Sequence, residues 1–152
     1  MSKKRVVITG MGVVSPIGNN LDQFWNNLKN GTNGINDISL FDTTNFDVKI
    51  AGESHIDLNS FFDRKELNKL DRFSAFALIA AHQAINQSNI LHSKTSPSRI
   101  GVIVGSGIGG IGTFEAQHKK LLKNPRFVSP FFIPSMISDI AAGQISIKYG
   151  FK

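Results

Sequence analysis

Two apolar runs broken by glycine constrain this chain more than any other feature: Val6-Val-Ile-Thr-Gly-Met-Gly-Val-Val14 and Ile100-Gly-Val-Ile-Val-Gly-Ser-Gly-Ile-Gly-Gly110. Near-continuous apolar runs of this length predict strands with both faces buried, the pattern of a parallel sheet. In each run the glycines fall where the strand should end, so that the backbone can turn or approach a neighbour closely. Helical patterns follow both runs. The order strand, helix, strand, helix predicts an α/β protein.

The first helix carries a full set of local signals. Asn20 is positioned as an N-cap with Gln23 three residues on, and Leu21, Phe24, Trp25 and Leu28 form one apolar face. Gly31 supplies the stop. Residues 32–62 are polar and rich in turn formers, with a short strand predicted over Val48–Ala51. Burial is expected there for Phe41, Phe46, Phe61 and Phe62. Asp63 to Asp71 is a charged helical segment, and Phe73 to Ile85 is apolar almost all round, as in a helix buried in a large core or an interface. After the second glycine run, a helix is predicted over Thr113–Lys123, ended by Asn124-Pro125. A last helix is predicted from Pro134, placed as its first residue, to Tyr149, with Gly150 as its cap.

Composition narrows the function classes. At 152 residues, 41% of them hydrophobic and 18% charged, the chain has ordinary globular content and enough length for a core. No apolar run approaches the roughly 20 residues of a membrane span. Lys3-Lys4-Arg5 ahead of an apolar run imitates a secretory signal, but Gly10 and Gly12 interrupt the run and no small-residue cleavage site follows. With no cysteine, these residues hold neither a disulfide nor a thiolate metal site. The net charge of +6 favours an acidic partner. A basic groove interleaved with stacking aromatics is missing, which argues against nucleic acid.

Three motifs invite a chemical reading, and each is incomplete. Gly105-x-Gly107-x-x-Gly110 matches a dinucleotide fingerprint, but the acidic ribose partner expected about 20 residues on is absent, with Ser129-Pro-Phe-Phe132 in its place. Close backbone packing around a tight turn explains these glycines with fewer assumptions. Ser106 lacks the flanking pattern of a nucleophile elbow. Among the four histidines, His82 lies in the apolar helix, where a satisfied core residue is expected. Glu115-x-x-His118 has di-iron ligand spacing, but as a single copy it reads as a solvated pair. The cluster of Arg64, Lys65, Lys69 and Arg72 is either a charged helix face or a docking surface for an acidic partner.

Several segments in a fixed order carry a more specific signal: Arg5-Val-Val-Ile-Thr-Gly-Met-Gly12, Ser15-Pro-Ile-Gly-Asn19, Phe41-Asp-Thr43, Arg64-Lys-Glu66, Gly105-Ser-Gly-Ile-Gly-Gly110 and Ser129-Pro-Phe-Phe-Ile-Pro-Ser135. Together they resemble the β-ketoacyl-acyl carrier protein synthases of type II. That resemblance implies a thiolase-like layered αβαβα fold, of which residues 1–152 would be an incomplete first half, ending before the nucleophilic cysteine. It implies a decarboxylating Claisen condensation, a homodimer, a cytoplasmic location, no cofactor and no metal. It assigns no catalytic residue to this chain, because the family's cysteine, its two histidines and its lysine match nothing here. Ile108 resembles the residue that gates the acyl pocket, and Phe132 the aromatic that reaches the acyl tunnel across the dimer interface. Lys65, Lys69 and Arg126 fall where the family presents basic residues to its acidic acyl carrier protein. The alternative is a non-catalytic subunit of chain-length-factor type. In isolation the chain is expected to be inactive and to fold poorly.

Overall fold

The computed structural model describes residues 4–152. Lys3, part of the signal-like start, lies outside the described residues. The framework is a helix, α3 (Arg72–Ser88), packed against a second, α6 (Ile140–Tyr149). Between them sits the core of Phe62, Ala75, Leu78, Ile79 and Ile145. Ahead of α3 come α1 (Leu21–Lys29), the two-residue strands β1 (Asn36–Asp37) and β2 (Ile50–Ala51), and α2 (Arg64–Leu67). After it come α4 (Ile111–Lys123) and α5 (Phe132–Met136).

Capping chemistry explains most of these boundaries. Asn20 accepts the Gln23 N–H at 2.9 Å to open α1. Asp63 accepts the Lys65 and Glu66 N–H groups while Glu66 accepts the Asp63 N–H, a complete capping box on α2. Asp71 opens α3 by accepting the Phe73 N–H, and Asn89 ends it in the left-handed conformation, φ 54°. Gly150, φ 71°, ends α6 as expected.

The two apolar runs are extended but unpaired, which corrects the expectation of fully buried strands. Among the described residues the only ladder is β1 against β2, antiparallel, with Asn36 opposite Ala51 and Asp37 opposite Ile50. The second run alternates: Val102 and Val104 pack on the core, while Ile103 between them is 98% exposed. In the first run Val6 is 94% exposed. Each run therefore lays one face on the helices and leaves the other uncovered. The reason is the ladder: strand burial on both faces needs neighbours on both edges, and none of the described residues provides them.

The first run is instead fastened to α3. A Cβ at Gly10 would stand 2.1 Å from the Ala84 carbonyl oxygen, and one at Gly12 would stand 2.0 Å from that of Ala80. Glycine is required at both by direct backbone-to-helix contact. Gln87 accepts the Met11 N–H at 2.6 Å, and Gln83 both accepts from Val13 N–H and donates to its carbonyl.

Three further expectations change. Only Phe62 of the four phenylalanines in residues 32–62 is buried; Phe41 and Phe46 stack edge to face at 5.4 Å on the surface. His82 is exposed rather than a core residue. The last helix is two helices, with Pro134 the third residue of α5. The break follows from a carbonyl used elsewhere: Met136 O accepts the Gly110 N–H at 2.8 Å, so it does not continue the helical ladder.

Candidate functional site

The glycine loop 105–110 has a fixed half and a free half. Gly109 adopts φ 79°, and a Cβ there would meet the Met136 carbonyl oxygen at 2.3 Å. Its N–H donates to Ser106 Oγ at 3.0 Å. Around Gly105 and Gly107, by contrast, nothing lies within 4 Å of a Cβ position, so packing does not explain these two glycines. Ile108 projects from the free half and is 68% exposed.

Phe132 begins α5 and lies against α4, its ring 6.1 Å from that of Phe114. It lines a cavity of about 340 Å³ together with Asp71, Thr113, Gln117 and Ser135. Two buried polar side chains hold the walls. Gln117 accepts the Ser129 N–H at 2.8 Å, and Ser135 Oγ donates to the Lys69 carbonyl at 2.9 Å. Ile108 does not line this cavity, so the structure does not bring the two expected acyl-pocket residues to one wall.

The basic candidates are exposed. Lys65 lies on α2, Lys69 just past its end with Nζ 5.3 Å from the Phe131 ring centre, and Arg126 in the turn after α4. None of the three is ion-paired with a described carboxylate. Asp71, two residues past Lys69, is the residue that sequence reasoning passed over. Its carboxylate accepts from Phe73 N–H, Thr113 N–H and Thr113 Oγ, joining the starts of α3 and α4. An Asp before an apolar run signalled the cap on α3; nothing in the sequence signalled a partner 42 residues away.

The largest opening is a trough of about 640 Å³ between the two extended runs. Residues 9–12 form one wall and residues 100–105 the other, above a floor of α3 alanines 77, 80, 81 and 84. At one end Lys152 N–H donates to the Ile100 carbonyl at 2.9 Å.

The weaker motifs find ordinary partners. Glu115 pairs with Lys119 one turn on, and this contact holds its carboxyl below the usual range. His118 stacks on Phe114 at 6.2 Å. His82 bonds through its two ring nitrogens to Tyr149 Oη and Asn86 Nδ2, both at 2.9 Å. Burial raises the Tyr149 phenol above its ordinary value.

Extended glycine-ended runs laid on a central helix, with a second helix behind, define the thiolase-like α/β fold of ketosynthases. The same arrangement recurs in a β-ketoacyl synthase from Burkholderia phymatum STM815, with a TM-score of 0.79 at 25% identity over 99% of this chain and 38% of that one. It also recurs in a ketosynthase solved in complex with its type II polyketide synthase acyl-carrier protein, with a TM-score of 0.74 at 25% identity over 99% of this chain and 41% of that one. Residues 3–152 match the N-terminal domain of β-ketoacyl synthases, and the chain belongs to that family. It is 47% identical over 151 residues to a 3-oxoacyl-[acyl-carrier-protein] synthase 2 of Staphylococcus aureus, covering 98% of this chain. It is 42% identical over 154 residues to the one from Vibrio harveyi. The chain spans 36% and 37% of the lengths of these two relatives.

Proposed function

We propose that this chain is the N-terminal part of an elongating 3-oxoacyl-[acyl-carrier-protein] synthase, an acyltransferase of fatty acid synthesis. The observation that carries the reading is the 47% identity sustained over nearly the whole chain to a synthase of that name. In this reading a cysteine supplied by residues outside these 152 takes the acyl group as a thioester. Loss of carbon dioxide from a malonyl thioester then leaves a carbanion, which attacks the acyl carbonyl; the new carbon–carbon bond forms as the cysteine thiolate departs. The 152 residues contribute no group to that chemistry, having no cysteine.

Their contribution is binding. Ile108, on the free half of its loop, gates the acyl pocket, and Phe132 lines the tunnel where a second subunit meets the first. Lys65, Lys69 and Arg126 receive an acidic acyl carrier protein; their exposure and lack of described ion-pair partners support this role. The working protein is a homodimer of the cytoplasm. No helix among the described residues is long and apolar enough to cross a membrane.

The test is an assay of the whole gene product with acyl- and malonyl-carrier protein, following carbon dioxide release and the 3-oxoacyl product. Condensation supports the reading. A gene product that binds carrier protein but never condenses would instead be a non-catalytic ketosynthase-like subunit. The 152 residues alone are expected to accept no acyl group, and mass-detected acylation of them would reject the assignment.

A further inference from the structure

We propose that Asp71 is a positioning residue for the acyl pocket: it fixes one end of the Gly105–Gly110 loop and so sets which acyl chains Ile108 admits. The proposal rests on the function proposed above and goes beyond it. Asp71 is only 9% exposed, and both carboxylate oxygens are used. Oδ1 accepts the Phe73 N–H at 3.1 Å; Oδ2 accepts Thr113 N–H at 3.0 Å and Thr113 Oγ–H at 2.6 Å. The negative charge stands at the N-terminus of α4, where the helix dipole favours it.

The carboxylate also touches the loop itself. A Cβ on Gly110 would lie 2.8 Å from Asp71 Oδ2, so the loop closes onto the carboxylate only because residue 110 is glycine. With the Gly110 N–H bonded to Met136 O, residues 109–110 are held from two sides. Residues 105–108 have no such restraint, and Ile108 swings from the anchored end. Asp71 also follows Lys69, whose carbonyl accepts from Ser135 on the helix that carries Phe132. Both proposed pocket residues thus take their position from the short stretch 69–71, next to the proposed carrier-docking lysines.

The experiment uses the whole gene product with three variants. Asp71→Asn keeps the shape and removes the charge; Thr113→Val removes the hydroxyl bond and keeps the backbone one; Thr113→Ser keeps both. Two quantities are measured: amide hydrogen exchange over residues 107–113 relative to α6, and the ratio of kcat/KM for long against short acyl substrates. Asp71→Asn and Thr113→Val should speed loop exchange about tenfold and shift the ratio about fivefold, changes in the range expected for losing one hydrogen bond to a charged group. Thr113→Ser should match wild type. Should Asp71→Asn fail to fold, Thr113→Val decides. An equal loss for every chain length, or faster exchange with an unchanged ratio, would overturn the proposal. If wild type condenses nothing while the variants still loosen the loop, the proposed function fails and Asp71 is left as a structural anchor, which also overturns the acyl role.

Discussion

Gln83 holds Val13 by both of its backbone groups: Oε1 accepts the Val13 N–H at 3.0 Å, and Nε2 donates to the Val13 carbonyl at 3.2 Å. The same Nε2 donates to the Asn19 carbonyl at 2.8 Å. A side-chain amide on α3 thus gives the first extended run the two bonds that a neighbouring strand would give. Replacing Gln83 with Leu leaves these part-buried groups unsatisfied, and should destabilise the protein by about 1–3 kcal/mol. Chemical denaturation checks it. Gln83→Glu should lie between the two, because the carboxylate still accepts from Val13 but cannot donate.

Gly109 should tolerate no side chain. At φ 79° an alanine is strained, by about 1–2 kcal/mol for the left-handed backbone alone. Its Cβ would also meet the Met136 carbonyl oxygen at 2.3 Å, so the total loss should exceed that figure. Gly107→Ala, with open space around it, should cost far less. Comparing the two melting temperatures tests whether the loop's rigid half begins after Ile108.

Tyr149, the sole tyrosine, reports on the contact between α3 and α6. Burial raises its phenol above the ordinary value of 10.0, so the folded state holds that proton more tightly than the unfolded one. The stability this provides is complete below pH 10.0 and is lost as pH rises through the higher folded value. Near-ultraviolet titration should therefore give a later midpoint in buffer than in denaturant. Coincident midpoints would reject the assignment.

Charge reversal at Lys65 and Lys69 should slow association of the whole gene product with an acidic carrier protein by about tenfold at low salt. Added salt should shrink the difference. Folding should be unaffected, because neither side chain pairs with a described carboxylate. Unchanged association kinetics would move the docking surface elsewhere.

What could be read from the sequence was mostly local. Asn20, Gln23, Gly31 and Gly150 mark helix ends through bonds and torsions within a few residues, and α1, α4 and α6 end where those signals stand. Gly10 and Gly12 were legible as sites of close approach, though not which helix approaches them. What failed depended on distant partners. The split between α5 and α6 arises because the Met136 carbonyl binds Gly110, and Asp71 matters because Thr113 folds onto it. The apolar runs at 6–14 and 100–105 were read as buried from hydrophobicity alone, which says how much cover a segment calls for and not whether these residues provide it. For the site, the sequence offered Ile108 and Phe132 through resemblance, whereas the carboxylate behind the loop came only from the coordinates.

The alanine-floored trough has a consequence for handling these residues. Its walls present main-chain amides and carbonyls at the spacing of an extended peptide, and such edges select partners by shape with little regard to sequence. The exposed Ile103 run of a second molecule is itself such a peptide. At high concentration, copies of residues 4–152 should therefore stitch together through mutual exchange of strands, and light scattering should climb with protein concentration well before the helices melt.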